Sequence, residues 1–590
     1  MRSPRLRSTG LAVLASAALV AVAMAATTTP AGAAGTETIQ LPQHLCAAAT
    51  AGHKSCDAIR VITREVSRTQ AEQLKAEGLA RPAAAADLAA GPAGGYTPAQ
   101  LAKAYGLNAN ATTSQTVAIV DAFDDPTVKT DLNTFDSRYG LPHETGTSFR
   151  VVNQVGNASP LPASNPGWAG EITLDVQAVR AVCHHCKILL VEANTNDNAN
   201  LGAAVNRAVT MGAMIVSNSY GGPETDPENT PAVRADYNHP GVAVLASTAD
   251  DGYYAWDNFN IGGTSDSVPS TPASYSTVVG VGGTSLYLNS NGSRASEQVW
   301  NDNGPFDAAG LAIGQFYGFT AGASGSGCST LSAAPRWQQK VAGYGSLGCG
   351  ATKRNGVDVA ADADYFTGFD VFQTFGATTA GWTTFGGTSL SSPLVAAMWG
   401  LAGGPHGVKY PALTLYGHYK STPKSTYDVR IGGTGACDTA STTSCASFFG
   451  GSPNQIGFGL LDCAWGPTGS ATLANRGQCY ARPGYDGVSG VGTPNGLNTF
   501  KALSPKAVIS QPGTVKKGAK HSFSAAKSTD PFPGGSLVKY VWHWGDGHTT
   551  TTTHASASHT FTSKGTDKVT LTVTDNYGRS GTTSRKISVQ

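Results

Sequence analysis

The chain has few charged side chains and no excess of either sign. Of its 590 residues only 13% are Asp, Glu, Lys or Arg, and the formal net charge is +1. There is no basic stripe that could follow a phosphate backbone, so we expect no nucleic-acid partner. The low charge does not predict disorder, because 40% of the residues are hydrophobic and can build a core.

Long apolar runs are also missing, except at the N-terminus. Three arginines within the first seven residues precede an apolar run from Leu11 to about Ala26, and small residues follow it. This pattern predicts a secretory signal peptide over residues 1–34, and therefore a secreted, extracellular protein. A membrane anchor is the alternative, but the run is short and rich in Ala.

Ten cysteines in a chain expected to be secreted predict disulfides. Sequence-near pairs are the simplest pairing: Cys46 with Cys56, Cys183 with Cys186, Cys328 with Cys349, and two bridges among Cys437, Cys445, Cys463 and Cys479. The segment Cys183-His184-His185-Cys186 is also compatible with zinc. It is a single cluster in an oxidising compartment, so we favour a small disulfide loop.

Composition divides the rest of the chain into three parts. Residues 35–95 form a short pro-segment or N-terminal arm, with an amphipathic stretch from Ile59 to Gly78 that predicts a helix and a linker rich in Ala, Gly and Pro after it. Residues 96–503 form the main domain. Residues 504–590 show short alternating strands and no helical pattern, which predicts a small all-β sandwich.

In the main domain, compact runs rich in β-branched residues alternate with helical stretches, which predicts an α/β fold with a parallel sheet. The predicted strands are Thr116–Asp121, Lys187–Glu192, Ala213–Ser217, Val242–Ala246 and Val278–Val281, and predicted helices include Glu171–Ala181 and Leu201–Met211. Functional sites in such sheets lie beyond the carboxyl ends of the strands.

Ser389 is the candidate nucleophile. It follows Gly386-Gly387-Thr388 and precedes an apolar run, so it belongs to a tight loop that feeds a helix. At that end of a helix, free N–H groups favour developing negative charge. An ordinary helix start rich in Ser and Thr is the alternative.

Glu171 and Asp175 are a candidate acid/base pair. They are four residues apart among apolar neighbours, so a helix would bring both carboxyls to one face. If they are buried, they share a proton and one pKa rises. The alternative is two acids on a solvated helix face. Asp250 follows the fourth predicted strand, where it is either a site residue or a loop-capping Asp.

Taken in order, these stretches resemble the sedolisins, or serine-carboxyl peptidases, over about Tyr96 to Leu503. The motifs that carry the resemblance are Gly170-Glu171 through Asp175, Ala249-Asp250-Asp251-Gly252, and Gly387-Thr388-Ser389 with Pro393. Ser217-Asn218-Ser219-Tyr220-Gly221 and the stretch from Val120 to Pro126 also match the family. The resemblance implies a subtilisin-like, doubly wound and mainly parallel α/β sheet.

The resemblance also implies a role for each residue in a serine-type endopeptidase. Ser389 attacks the peptide carbonyl, Glu171 is its general base and later its acid, Asp175 orients Glu171, and Asp250 serves the oxyanion hole. A carboxylate base can stay ionised in acid. Asp250 donates a hydrogen bond only when it is protonated. We therefore expect activity at acid pH that falls as the pH rises.

The His-Gly-Thr segment of a subtilisin-type base is absent from the sequence. An ordinary subtilase with a histidine base is thus a weaker alternative. The other alternative is a catalytically silent secreted binding protein on the same scaffold. The family carries a long pro-domain, whereas only about 60 residues separate the predicted signal from Tyr96, so autocleavage near Gly95 is a hypothesis only.

The resemblance further implies one structural Ca2+ ion. Tyr427-Asp428-Val429 and Arg482-Pro483-Gly484-Tyr485-Asp486 resemble the family's calcium site. The expected ligands are the carboxylates of Asp428 and Asp486 and the carbonyl oxygens of Val429, Arg482 and Gly484, which suits a cation that prefers oxygen. Two ordinary loop aspartates are the alternative.

The C-terminal part resembles a PKD domain, through Trp542-His543-Trp544-Gly545-Asp546-Gly547, His559-Thr560-Phe561 and Leu571-Thr572-Val573-Thr574-Asp575. Such domains accompany secreted hydrolases, so binding of a polymeric substrate is an expectation. Trp542 and Trp544 would face one side of a strand, with one of them in the core and a substrate-binding surface as the alternative. We expect a monomer that acts on proteins or peptides.

Overall fold

The computed structural model describes residues 35–76, 80–82, 91–253, 268–302, 305–306, 322–377, 379–419, 424–434, 437–438, 477–511 and 513–590. The predicted signal peptide, most of the predicted linker, and Cys445 and Cys463 lie outside the described residues.

The helices in chain order are α1 Arg68–Ala76, α2 Pro98–Ala104, α3 Val128–Tyr139, α4 Pro166–Val182, α5 Asn198–Thr210, α6 Pro231–Ala235, α7 Arg336–Lys340, α8 Thr388–Leu401 and α9 Ala412–His418. Short 3-10 turns occupy Tyr344–Ser346 and Asn498–Phe500.

The strands before the C-terminal domain are β1 Thr36–His44, β2 Ser55–Cys56, β3 Ile59–Ser67, β4 Arg81–Pro82, β5 Thr116–Ala122, β6 Phe149–Asn153, β7 Lys187–Ala193, β8 Ile215–Asn218, β9 Tyr220–Pro223, β10 Ala243–Ser247, β11 Asp251–Tyr253, β12 Ser270–Thr271, β13 Val279–Leu288, β14 Arg294–Val299, β15 Pro305–Phe306, β16 Ala323–Ser326, β17 Cys328–Ala333, β18 Lys353–Asn355, β19 Val359–Asp362, β20 Phe369–Gln373, β21 Gly381–Gly386, β22 Thr426–Tyr427, β23 Cys437–Asp438 and β24 Thr493–Pro494.

The strands of the C-terminal domain are β25 Thr514–Val515, β26 Lys520–Ser524, β27 Leu537–His543, β28 Thr549–Thr552, β29 Ser556–Thr560, β30 Gly565–Asp575 and β31 Ser580–Val589.

The main domain is built on an eight-stranded sheet. Its order is β14-β13-β10-β8-β5-β7-β6, and β19 also pairs with β13. All pairings in it are parallel except that of β14 with β13. Helices α4 and α8 belong to the hydrophobic cluster on one face, and α5 belongs to the cluster on the other. This is the subtilisin-like, doubly wound, mainly parallel α/β sheet that the sequence predicts.

The five predicted strands are confirmed to within two residues at their starts, although β13 runs on to Leu288. The predicted helices correspond to α4 and α5. Strands β6, β14 and β19 were missed, because each is short or polar and gives a weak signal on its own.

The predicted helix from Ile59 to Gly78 is wrong over its first half. Residues Ile59–Ser67 form β3, and only Arg68–Ala76 is helical. Strand β3 pairs antiparallel with β1 along its whole length, and its first two residues pair with the end of β21. These long-range pairings override the helical period of the sequence. The N-terminal segment therefore extends a sheet of the main domain, in the order β20-β21-β3-β1-β4.

The C-terminal domain is a β-sandwich, as predicted. A five-stranded sheet in the order β25-β31-β30-β27-β28 faces the pair β26-β29 across an apolar core. Its surface touches the main domain, where the side chain of Arg336 donates a hydrogen bond to the carbonyl oxygen of Gly534 at 2.8 Å.

Candidate active site

Helix α4 carries Glu171 and Asp175 into the interior. The helix starts cleanly, because the side chain of Asn165 accepts hydrogen bonds from two N–H groups of the first turn and Pro166 occupies the first position. Every residue from Trp168 to Val182 is buried, so the helix has no solvated face. Both carboxyls are 0% exposed, which excludes two surface acids.

Asp250 lies beyond the carboxyl end of β10, next to the start of helix α8. Its Oδ1 accepts hydrogen bonds from the backbone N–H and from the hydroxyl of Thr388, both at 2.8 Å. Its Oδ2 is buried and has no hydrogen-bond partner among the described residues. Asp250 therefore binds the start of helix α8, which carries Ser389, through one oxygen and keeps the other available.

Ser389 is the second residue of helix α8 and is fully buried. Gly387 precedes the helix with φ 93°, a backbone conformation that favours glycine. The Ser389 hydroxyl donates to the carbonyl oxygen of Ser219 at 3.4 Å. The Ser219 hydroxyl in turn donates to Asp175 Oδ2 at 2.7 Å. Ser219 thus joins the candidate nucleophile to the carboxyl pair.

The carboxyl pair is electrostatically coupled. Burial raises the pKa of Glu171 well above its ordinary value, and the neighbouring Asp175 raises it further. The nearby Ser389 hydroxyl lowers the pKa of Glu171, yet neither Glu171 oxygen has a well-formed hydrogen bond to any described residue. Burial likewise raises the pKa of Asp175 and the nearby Asp121 raises it further, whereas the hydrogen bond from Ser219 and the close Glu171 carboxyl lower it. The pair therefore retains a proton more tightly than isolated carboxyls do.

Burial also raises the pKa of Asp250 well above its ordinary value, and the nearby Asp57 adds to the rise. The hydrogen bonds from Thr388 lower it. A carboxyl shifted in this direction is neutral in acid and can donate a hydrogen bond from the oxygen that Thr388 does not use.

Two further carboxyls belong to the site and were not assigned a role from the sequence. Asp121, at the end of β5, is fully buried and raises the pKa of both Glu171 and Asp175. It lies in the stretch Val120 to Pro126, so the family-like motif was a usable signal. Asp57 comes from the N-terminal segment, accepts a hydrogen bond from Ser247 Oγ at 2.7 Å, and has its pKa raised to about 8 by burial.

Four of the five residues expected to bind calcium make contacts with one another. The N–H of Gly484 donates to Asp428 Oδ1 at 2.9 Å, and the N–H of Arg482 donates to Asp486 Oδ2 at 3.1 Å. Burial raises the pKa of the neighbouring Tyr419 hydroxyl, and Asp428 and Asp486 both raise it further. Asp486 is fully buried, and burial raises its pKa to about 7. A buried carboxyl in a loop that also contacts a second carboxylate fits an oxygen-seeking cation.

Three of the predicted disulfides are present: Cys46–Cys56, Cys183–Cys186 and Cys328–Cys349. The Cys183–Cys186 bridge rules out the zinc alternative for those thiols. Cys479 is also disulfide-bonded. The expected pairing among the last four cysteines involves positions outside the described residues.

Trp542 and Trp544 are both 0% exposed and stack on each other, with ring centroids 5.4 Å apart and planes 7° apart. The sandwich core takes both rings, so the alternative of a substrate-binding surface at these two residues is wrong. Among the helices that the structure describes, none is long and apolar enough to cross a membrane.

Comparisons with known proteins find similarity in both the main domain and the C-terminal domain. A family model described as the subtilase family matches residues 163–406, and one described as a PKD domain matches residues 502–589. The chain is 29% identical over 442 residues to kumamolisin from Bacillus sp. (strain MN-32), and the aligned region covers 71% of this chain and 65% of that protein. It is 26% identical over 362 residues to sedolisin from Pseudomonas sp. (strain 101), and this aligned region covers 60% of this chain and 58% of that protein.

The chain thus spans less than two thirds of the length of these two relatives. A solved structure of Pseudomonas sedolisin, a serine-carboxyl proteinase complexed with two molecules of pseudo-iodotyrostatin, superimposes with a TM-score of 0.50 at 24% identity. The match covers 68% of this chain and 95% of that one, and it shows a common fold.

Proposed function

We propose that this chain, in which a sedolisin-like subtilase domain precedes a PKD domain, is a secreted serine-carboxyl endopeptidase that works at acid pH. One observation carries the proposal. A continuous set of contacts runs from Asp175 through Ser219 to Ser389, next to Glu171. Thr388, the residue before Ser389, is hydrogen-bonded to Asp250.

In the proposed mechanism, Ser389 Oγ attacks the substrate carbonyl carbon and its proton passes to Glu171. Glu171 then gives that proton to the leaving amine, and water hydrolyses the acyl-enzyme with Glu171 again acting as the base. Asp175 shares a proton with Glu171 and orients it. Ser219 supports this arrangement, because its hydroxyl holds Asp175 at 2.7 Å.

Asp250 is proposed to stabilise the oxyanion through a proton on Oδ2. Oδ1 is used by Thr388, so the orientation of the carboxyl is already fixed before substrate binds. The raised pKa of Asp250 keeps that proton in acid. As the pH rises through this pKa the donor is lost and activity falls.

The simple expectation that the base has a low pKa needs revision. Burial raises the pKa of Glu171 in the structure. Two adjacent carboxyls that share one proton still carry one negative charge, and that charge is what the base uses. Only the ionisation of the second carboxyl is strongly opposed.

We also propose that Asp428, Val429, Arg482, Gly484 and Asp486 hold one structural Ca2+ ion. The two carboxylates and three carbonyl oxygens form a donor set that suits calcium. The hydrogen bond from Gly484 to Asp428 supports it by holding the two loops against each other, and the one from Arg482 to Asp486 shapes the second loop. When bound, the ion would neutralise the carboxylates and fix these loops.

Secretion, a monomeric state and binding of a polymeric protein substrate through the PKD domain complete the proposal. Secretion is supported by the signal-like N-terminus and by three disulfides. Polymer binding rests on the domain type alone, since the stacked tryptophans are buried.

Casein or haemoglobin cleavage from pH 3 to 9 tests the proposal, using wild type, Glu171→Ala and Ser389→Ala. We expect wild type to be active in acid and both variants to lose activity. Absence of cleavage at any pH would support a silent binding protein. Activity that survives Glu171→Ala would point to another base, and greatest activity near pH 8 would refute the role of Asp250.

A further inference from the structure

The N-terminal segment crosses the candidate active site as an extended strand. Before the crossing, β2 pairs antiparallel with β9, with Ser55 opposite Gly221 and Cys56 opposite Tyr220. After it, β3 pairs antiparallel with β21, with Ile59 opposite Gly386. Strand β21 runs directly into Gly387 and the nucleophile helix. An extended peptide that adds to strand edges on both sides of a nucleophile has the form of a bound substrate.

One backbone contact, at Asp57, shows which peptide unit of the crossing segment lies next to Ser389. The N–H of Asp57 donates to the carbonyl oxygen of Ser219 at 3.4 Å, and the Ser389 hydroxyl donates to that same oxygen at 3.4 Å. The backbone of Asp57 and the nucleophile therefore share one acceptor.

The carbonyl oxygen of Asp57 lies against Gly387. It is 2.0 Å from the point where a Cβ on Gly387 would stand, and Asp250 Oδ2 is 2.6 Å from the same point. The carbonyl oxygen and the available oxygen of Asp250 thus converge on one small space. That space exists only because residue 387 has no side chain.

The side chain of Asp57 fills a polar pocket beside the bond. Ser247 Oγ donates to its Oδ2 at 2.7 Å, and the wall opposite is Gly221, whose missing Cβ would lie 3.4 Å from that oxygen. Burial is the main reason that its pKa rises to about 8, with Asp251 adding to the rise and Lys54 opposing it. The pocket accepts a carboxyl that is neutral in acid.

From this register we infer that the Asp57–Ala58 peptide bond is presented to Ser389 as a substrate, and that the chain cleaves itself there. The inference rests on the proposed peptidase function. It also implies a substrate preference. The pocket for the residue before the attacked bond accepts a short side chain that receives a hydrogen bond from Ser247.

The segment is held in this extended form by its own contacts. The Cys46–Cys56 disulfide closes a loop just before the crossing, and the N–H of Leu45 donates to the carbonyl oxygen of Ala58 at 3.2 Å. Both cysteines precede Asp57, so this disulfide does not link the two products of cleavage. The antiparallel pairing of β1 with β3 does link them, without a covalent bond.

The chemical balance is that of a hydrolysis. Ser389 Oγ bonds to the carbonyl carbon of Asp57 and its proton moves to Glu171. The C–N bond to Ala58 then breaks, and the leaving amine takes the proton. One water molecule cleaves the ester, leaving a carboxylate on Asp57, an amino group on Ala58 and a free Ser389 hydroxyl.

The test follows the full secreted chain at about pH 4, where the proposed enzyme is active. Intact mass under denaturing conditions and N-terminal sequencing are measured over time, together with casein cleavage. We expect a new N-terminus at Ala58 in wild type and an intact bond in Ser389→Ala. We also expect a first-order rate that does not change with protein concentration.

Three variants test the pocket. Asp57→Asn keeps the shape and the acceptor for Ser247, so cleavage should persist. Asp57→Lys places a long cation in a buried pocket and should slow cleavage at least about tenfold. His53→Lys is the matched control, because residue 53 is exposed in the same segment and the same cation there should leave the rate unchanged.

Casein cleavage at full rate while the Asp57–Ala58 bond stays intact would overturn the inference and leave the proposed function standing. Cleavage only elsewhere, for instance near Gly95, would do the same. If no form of the chain cuts either casein or the bond, the proposed function fails and this inference fails with it. These outcomes are read from wild type, so they do not depend on whether Asp57→Lys folds.

Discussion

Replacing Asp250 by Asn isolates the contribution of one proton. Thr388 donates two hydrogen bonds to Asp250 Oδ1, both at 2.8 Å, and an asparagine must point its carbonyl oxygen the same way to accept them. Its NH2 group then occupies the place of Oδ2 and donates at every pH. The variant therefore keeps the donor that wild type loses when Asp250 ionises.

The magnitude follows from the value of one oxyanion donor. Losing such a donor lowers the rate by roughly two to three orders of magnitude, or about 3–4 kcal/mol. We expect kcat/KM of wild type to fall by that factor as the pH rises through the raised pKa of Asp250. Asp250→Asn should remove most of this fall, whereas Asp250→Ala should be slow at all pH values by a similar factor.

The assay is kcat/KM for a fluorogenic peptide from pH 3 to 9, measured on material with a verified N-terminus. Asp251→Asn is the matched control, because it removes a neighbouring carboxyl that influences Asp250 less than burial or Asp57 does. The kcat/KM of Asp251→Asn should still fall at alkaline pH, as in wild type. An alkaline fall of unchanged size in Asp250→Asn would refute the assignment, as would a variant as slow as Asp250→Ala in acid.

The remaining predictions concern stability. Glu192 is buried without a hydrogen-bond partner among the described residues, and burial raises its pKa to about 9. Folding therefore favours the protonated side chain. The resulting contribution to the free energy of unfolding is fully present below about pH 4.5, the pKa of the unfolded state, and is lost as the pH rises toward 9. Thermal melts should therefore show a lower Tm at pH 8 than at pH 5, and Glu192→Gln should flatten that dependence; an unchanged slope would contradict this. EDTA should lower the Tm of wild type, whereas Asp486→Asn should start lower and respond little; equal responses of the two proteins would count against calcium.

The main sheet could be predicted because its central strands are buried on both faces and read as continuous runs of β-branched residues. Strand β14, with the sequence Arg-Ala-Ser-Glu-Gln-Val, has no such run and is antiparallel, so its place depends on β13. Strand β3 carries a helical period, and only its distant partners β1 and β21 decide its conformation. Local pattern was insufficient wherever pairing across the chain determined the outcome.

The candidate catalytic residues could be found because each lies in a short motif. Their mutual contacts could not be read in the same way, since Ser219 joins Asp175 and Ser389 from 44 and 170 residues away in sequence. Asp57 was missed altogether. It reaches Ser247 across 190 residues, and nothing in its neighbourhood marks it except a nearby cysteine. The burial of both tryptophans in the C-terminal domain likewise depends on how two sheets face each other.

The N-terminal segment that crosses the candidate active site is part of the same polypeptide as that site. Its occupancy is therefore governed by an effective concentration that dilution does not change, which lies in the millimolar range for short connections. Once the bond after Asp57 is cut, β1 and the disulfide loop hold on only as a separate molecule, and their hold weakens as the solution is diluted. The proposed cleavage would therefore give a protein that stays blocked where it is concentrated and opens when it is diluted.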